Sequence, residues 1–167
     1  MKTPEITHKY LREVLMRTRT IVTVGISLND VRPSFFVGRY LALRGYRILP
    51  VNPAYAGQHA FGSTVHASMA DIPQTEDPIK MVDIFRRSEE AGRVVDEALD
   101  LFLDRGLETI WMQIGVVDAK AKRRAEKKGV EVIMDLCPKM ERQRLWGDLS
   151  KGGIVSGIVS SKLMPLE

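Results

Sequence analysis

IVTVGISLNDVRPSFFVGRYL (Ile21–Leu41) begins as a run of apolar, largely β-branched residues, turns at Gly25 and passes into a segment able to form a helix. Strand, glycine turn and helix in that order are how a nucleotide-binding unit opens. A dinucleotide loop would read Gly-x-Gly-x-x-Gly, but Ser27 stands at the second glycine position. Gly25 lets the chain turn sharply and lets a phosphate approach the backbone. Ser27 adds a hydroxyl where glycine would offer a bare amide. The helix that follows, with Ser34 expected as its cap, points N–H groups at an anion. A pyrophosphate-sized anion suits this arrangement. A single Gly-x-Ser also occurs in ordinary strand-to-helix turns, so its meaning depends on the rest of the chain.

Outward from that stretch, the same grammar repeats. Thr20 to Gly25, Tyr46 to Val51, Met81 to Phe85, Thr109 to Gln113 and Val130 to Met134 are short apolar runs of strand length. Between them, Ala91, Val94, Val95, Ala98, Leu99 and Phe102 share one helical face, with Ser88 as the expected N-cap and Glu89 and Glu90 in the first turn. Arg44-Gly45, Arg105-Gly106 and Lys128-Gly129 each read as a helix end followed by a strand. Alternating strands and helices predict an α/β, Rossmann-like, doubly wound fold: a mainly parallel five-stranded sheet with helices on both faces. A helix over about 7–18 precedes the first strand, and residues 57–80 read as an irregular connection. The reading gives one domain over 1–145 and a Gly- and Ser-rich C-terminal extension, 146–167, of unassigned structure.

Composition sets the outer limits. The chain has 167 residues, 44% hydrophobic and 28% charged, as expected of a globular domain. No apolar run approaches the roughly 20 residues of a spanning helix. The first residues lack the apolar core of a signal peptide, and the lone Cys137 permits no internal disulfide, so a cytoplasmic location is expected. The net charge of +4 matters only where charges converge. The basic run Lys120 to Lys128 is interrupted by Ala121 and Ala125 and has no aromatic interleaving. It reads as a solvated helix face, so neither a nucleic-acid nor a membrane partner is expected.

Two features bear on the kind of nucleotide. The second strand runs into Val51-Asn52-Pro53, without the acidic residue that grips the ribose of NAD. Arg32 and Arg39 lie in or just after the first loop and Arg86 and Arg87 follow the third strand, so four cations from distant sequence could meet at one sheet edge. Guanidinium forks suit phosphates, and a ligand carrying more than one phosphate group fits; each arginine alone also suits a solvated surface. A small NAD(P)-dependent oxidoreductase, with Arg32 or Arg86 on a 2′-phosphate, is the alternative. It lacks the second and third fingerprint glycines and a Tyr-x-x-x-Lys pair.

The markers VGIS (24–27), DVRPS (30–34), ILPVNP (48–53), MVDIFRRSE (81–89), WMQIGV (111–116) and MDLCP (134–138) occur together in this order. In them the chain, from about Tyr10 to Leu145, resembles the small stand-alone coenzyme A-binding proteins, relatives of the amino-terminal domain of the succinyl-CoA ligase α subunit. The resemblance implies a Rossmann-like fold binding coenzyme A or an acyl-CoA, with the loop Gly25 to Ser27 on the pyrophosphate and Arg32 on phosphate. It implies Asn52 and Pro53 lining the nucleotide, Phe85, Arg86 and Arg87 flanking adenine, and Gln113 and Gly115 facing the pantetheine arm. Tyr55 falls where the ligase relatives carry lysine.

The ligases also use a histidine on a second domain and a separate β subunit, which this chain does not contain. His8, His59 and His66 show neither a nucleophile partner nor metal-ligand spacing and read as surface or structural residues. Cys137 reads as a buried small hydrophobe, the other reading being a thiol that meets the coenzyme. A binding or regulatory protein without catalytic residues, and without metal, is the expectation.

Overall fold

The computed structural model describes residues 2–147. The chain runs α1 (His8–Arg17), β1 (Thr20–Val24), α2 (Pro33–Leu43), β2 (Arg47–Val51), β3 (His59–Ala60), β4 (Ser63–Thr64), β5 (Met81–Ile84), α3 (Ser88–Phe102), β6 (Thr109–Met112), α4 (Ala119–Lys127), β7 (Glu131–Ile133) and α5 (Pro138–Trp146). The five expected strands form one parallel sheet in the order β2-β1-β5-β6-β7. The direction of winding reverses at β1. The carboxyl ends of β1 and its neighbours therefore splay apart into the crevice where such sheets take ligands.

Side-chain alternation assigns the two faces. Val22, Val24, Val82, Ile84, Ile110 and Met112 pack with the apolar stripes of α3 and α4. Ile21, Ile48, Met81, Trp111 and Ile133 pack with α1, α2 and α5. The sheet is thus covered on both sides, which is why its strands read as continuous apolar runs. Gly45, Gly106 and Gly129 all take positive φ at the ends of helical segments, as their position after a basic residue implies.

Several elements depart from the sequence reading. The connection over 57–80 contains the β3–β4 hairpin and 3₁₀ turns at Met69–Asp71 and Gln74–Glu76. The N-cap positions are Arg32 for α2 and Arg87 for α3, not Ser34 and Ser88, because each serine hydroxyl engages a neighbouring loop instead. Helix α5 has no counterpart in the expected elements. The basic run forms α4, with Ala121 and Ala125 buried, Arg124 paired to Asp96 and Lys122 to Glu126. Of the proposed extension 146–167, Trp146 and Gly147 end α5 and residues 148–167 lie outside the described residues.

One position breaks the apolar pattern of the central strand. Asp83 on β5 is completely buried, aligned between Thr23 of β1 and Trp111 of β6. Burial pushes its carboxyl up to about 8, opposed by the hydrogen bond from Gln113. In the unfolded chain an Asp ionises near 3.9, so between about pH 4 and pH 8 the folded protein keeps a proton that the unfolded chain has lost. The contribution to stability is complete below about pH 4 and disappears as pH rises to 8. Burial of Lys139 pushes its amine down to about 8, so that group acts above this window. Urea unfolding at pH 5 and pH 8 should show wild-type protein losing more stability than Asp83→Asn, which cannot ionise. Parallel pH profiles would exclude this account of Asp83.

Candidate functional site

The loop after β1 is shaped by a left-handed residue. Gly25 has φ +87°, and its N–H donates to the Val51 carbonyl at 2.8 Å, tying the corner to the end of β2. A Cβ on Gly25 would stand 2.9 Å from both Cδ and Nε of Arg86, whose side chain lies against the corner. Only glycine fits both the backbone angle and that contact.

Side chains then brace the loop. The Asn52 amide donates to the Ile26 carbonyl at 3.0 Å, and the Asn52 Oδ1 accepts from Ala54 N–H. The Ser27 N–H donates to Ser34 Oγ at 3.0 Å, while Ser27 Oγ accepts from Asn29 N–H and lies 3.3 Å from the Tyr55 hydroxyl. Ser34 therefore ties the first turn of α2 to the loop. Pro33 opens α2 without a side-chain cap, leaving backbone N–H groups at its start for water or an anion.

A cavity of about 700 Å³ opens over this corner and along the carboxyl edge of the sheet. Gly25, Ser27, Arg32, Ser34, Asn52, Tyr55, Phe85, Arg86 and Gln113 line it, so most of the residues expected from sequence come together. Pro53, Arg87 and Gly115 are not among its lining residues. Arg87 is 82% exposed and pairs with Glu90, and Arg39 lines a separate groove with His59 and Phe61. Of the four arginines expected at one edge, Arg32 and Arg86 reach this cavity. Gly115 braces a neighbouring loop, its N–H donating to Asp135 and its carbonyl accepting from Ser88 Oγ.

The far half of the cavity was less visible in sequence. Ile114 and Val116 follow β6, and Cys137, Lys139 and Met140 come from the start of α5. The loop after β7 opens on the same sheet edge as the loop after β1, which is the signal that marks these residues. Cys137 is buried, and burial pushes its thiol up to about 11, opposed by the backbone N–H groups of Met140 and Lys139, so it stays a neutral thiol near pH 7. Lys139 is 1% exposed, its amine donating to Gln143 Oε1 at 3.1 Å and lying over the Tyr40 ring. Gln113, 8% exposed, donates through Nε2 to both carboxyl oxygens of Asp83 at 2.9 Å.

The site thus combines Arg32, Arg86 and hydroxyl and amide groups near the ends of β1 and β2 with apolar side chains, Gln113 and Lys139 after β6 and β7. His8 contacts Arg144, and His66 bridges to Val51, so neither lies in the cavity. Among the described residues no group of three or more His, Cys, Asp or Glu is arranged to hold a metal ion. No described helix is long and apolar enough to cross a membrane.

Comparison with known proteins agrees with this architecture. The chain is 36% identical over 130 residues to the uncharacterized protein YneT of Bacillus subtilis (strain 168), covering 78% of this chain and 90% of that one. The Thermus thermophilus protein ID.343 superposes with a TM-score of 0.73 at 30% identity, over 84% of this chain and 99% of its own. A hypothetical protein from Pyrococcus horikoshii OT3 gives 0.75 at 29% identity, over 88% and 97%. A family model described as a CoA binding domain matches residues 19–143, from the start of β1 well into α5, and the chain belongs to that family.

Proposed function

We propose that the protein binds coenzyme A or an acyl-CoA in this cavity, as a binding or regulatory protein and not as a catalyst. The observation that carries the reading is the corner at Gly25, where a left-handed turn, the Ser27 hydroxyl and the start of α2 face a cavity that Arg32 and Arg86 also line. Backbone N–H groups, a hydroxyl and two guanidinium groups are a donor set for a pyrophosphate and a further phosphate. Asn52, Tyr55 and Phe85 flank that end and are assigned to the nucleotide, while the apolar half beyond Gln113 is assigned to the pantetheine arm. Pro53, Arg87 and Gly115 each stand next to a lining residue in sequence and are assigned no contact with the ligand. The binding unit comprises residues 1–145, and a cytoplasmic protein would meet the coenzyme in its main pool.

Calorimetric titration with coenzyme A, acetyl-CoA, dephospho-CoA, NAD and NADP tests the reading. Coenzyme A and acetyl-CoA should bind and NADP should not; binding of NADP alone would favour the oxidoreductase alternative and end this proposal. Arg86→Ala should weaken coenzyme A by about ten- to a hundredfold and dephospho-CoA by much less, since charge-assisted hydrogen bonds to the 3′-phosphate are lost only in the first. Equal losses would remove Arg86 from that role. Gly25→Ala should cost about 1–2 kcal/mol of stability and displace Arg86, because the new methyl group meets both a strained φ and the arginine side chain. Thermal unfolding and the same titration read the two effects separately, and an unchanged midpoint would contradict the strain argument.

A further inference from the structure

We propose that Asp83 is a positioning residue, holding the Gln113 carboxamide so that its carbonyl oxygen faces the cavity and accepts an amide N–H of the pantetheine arm. The inference rests on the coenzyme A reading and adds to it a residue that never touches the ligand.

The geometry begins with a nitrogen 2.9 Å from each of two carboxyl oxygens. A carboxyl group carries at most one proton, so an amide oxygen placed equidistant from both would face at least one bare lone pair. Only the NH₂ end of Gln113 satisfies that position. The carboxamide is planar, so turning nitrogen toward the sheet turns Oε1 away from it. Gln113 is more than nine-tenths buried, lines the cavity, and its Oε1 has no protein hydrogen-bond partner among the described residues. That oxygen is an acceptor aimed at the ligand space.

The surroundings identify the donor it takes. Ile114, Val116, Cys137 and Met140 make that half of the cavity mostly apolar, with Lys139 as its cationic group. An ammonium or guanidinium donor would have to share this space with Lys139, whereas a neutral N–H would not. The pantetheine arm is an aliphatic chain carrying secondary amides, and one N–H per amide is the complement of one lone carbonyl. Adenine offers an N–H as well, through its exocyclic amine, so the test separates the two halves of the ligand.

Asp83→Val removes the acceptor that orients Gln113 while keeping a strand-compatible side chain, and Asp83→Asn keeps one acceptor oxygen. Titration with coenzyme A, 4′-phosphopantetheine and adenosine 3′,5′-bisphosphate should show Asp83→Val weakening the two arm-bearing ligands by about tenfold, the worth of one hydrogen bond. The bisphosphate should bind as before, and Asp83→Asn should restore near wild-type affinity for all three. Gln113→Met should reproduce the arm-specific loss, and it keeps the test open if Asp83→Val does not fold. Equal weakening of all three ligands would mark Asp83 as merely structural, and a loss confined to the bisphosphate would place the contact on adenine; either result overturns the proposal. Failure of the wild-type protein to bind coenzyme A sinks the proposed function itself, whereas tight binding indifferent to both variants sinks only this inference.

Discussion

The left-handed corner at Gly25 is the constraint on which the site depends. It stops β1 at the sheet edge, and its N–H fastens the corner to β2 through the Val51 carbonyl. The absence of a Cβ lets Arg86, from the far side of β5's end, lie against the turn. One residue therefore joins the ends of three strands that are distant in sequence. Asn52 repeats the arrangement from β2, spanning back to Ile26. A backbone corner held at both ends loses little entropy when an anion arrives, which is the physical use of preorganisation at such a loop.

The sheet was legible in sequence because each of its strands is buried on both faces and so needs an unbroken apolar run. The helix ends were legible for a different reason: Gly45, Gly106 and Gly129 must take positive φ, and no other residue does so at so low a cost. Helix starts were less so. Ser34 and Ser88 have the chemistry of N-caps, but a hydroxyl bonds whatever backbone lies nearest, and the fold brings the Ser27 amide and the loop after β6 within reach. Local chemistry names a donor or acceptor without naming its partner.

The cationic part of the site shows the same limit. Four arginines are consistent with one edge when only strand ends are known. Their separation follows from where each backbone points: Arg39 leaves α2 toward the β3–β4 hairpin, and Arg87 turns outward to Glu90 at the start of α3. The β3–β4 hairpin itself sits in a stretch without strand-length apolar runs, and its strands are only two residues each. Helix α5 was hidden by a mixed, highly charged sequence, yet it closes the second side of the cavity with Cys137, Lys139 and Met140. Asp83 was in plain view as the one acidic residue of an otherwise apolar strand, but its meaning needed the register that sets it beside Gln113's strand.

These placements divide the labour within one cavity. Arg32 stands on an exposed loop, and long guanidinium side chains of this kind can follow an anion over several ångströms; their attraction is also weakened by salt. Asp83 and Gln113 have no such freedom, since one is fixed inside the central strand and the other stands at the end of its neighbour, both within the packed sheet. In the proposed function, groups that adapt draw and hold the charged ligand at the corner, and a carboxamide that cannot move discriminates at the other end. On that reading long-range charge governs encounter and the hydrogen bond at Gln113 governs choice, because a carboxamide that is more than nine-tenths buried loses more by an unmade bond than a solvated arginine does.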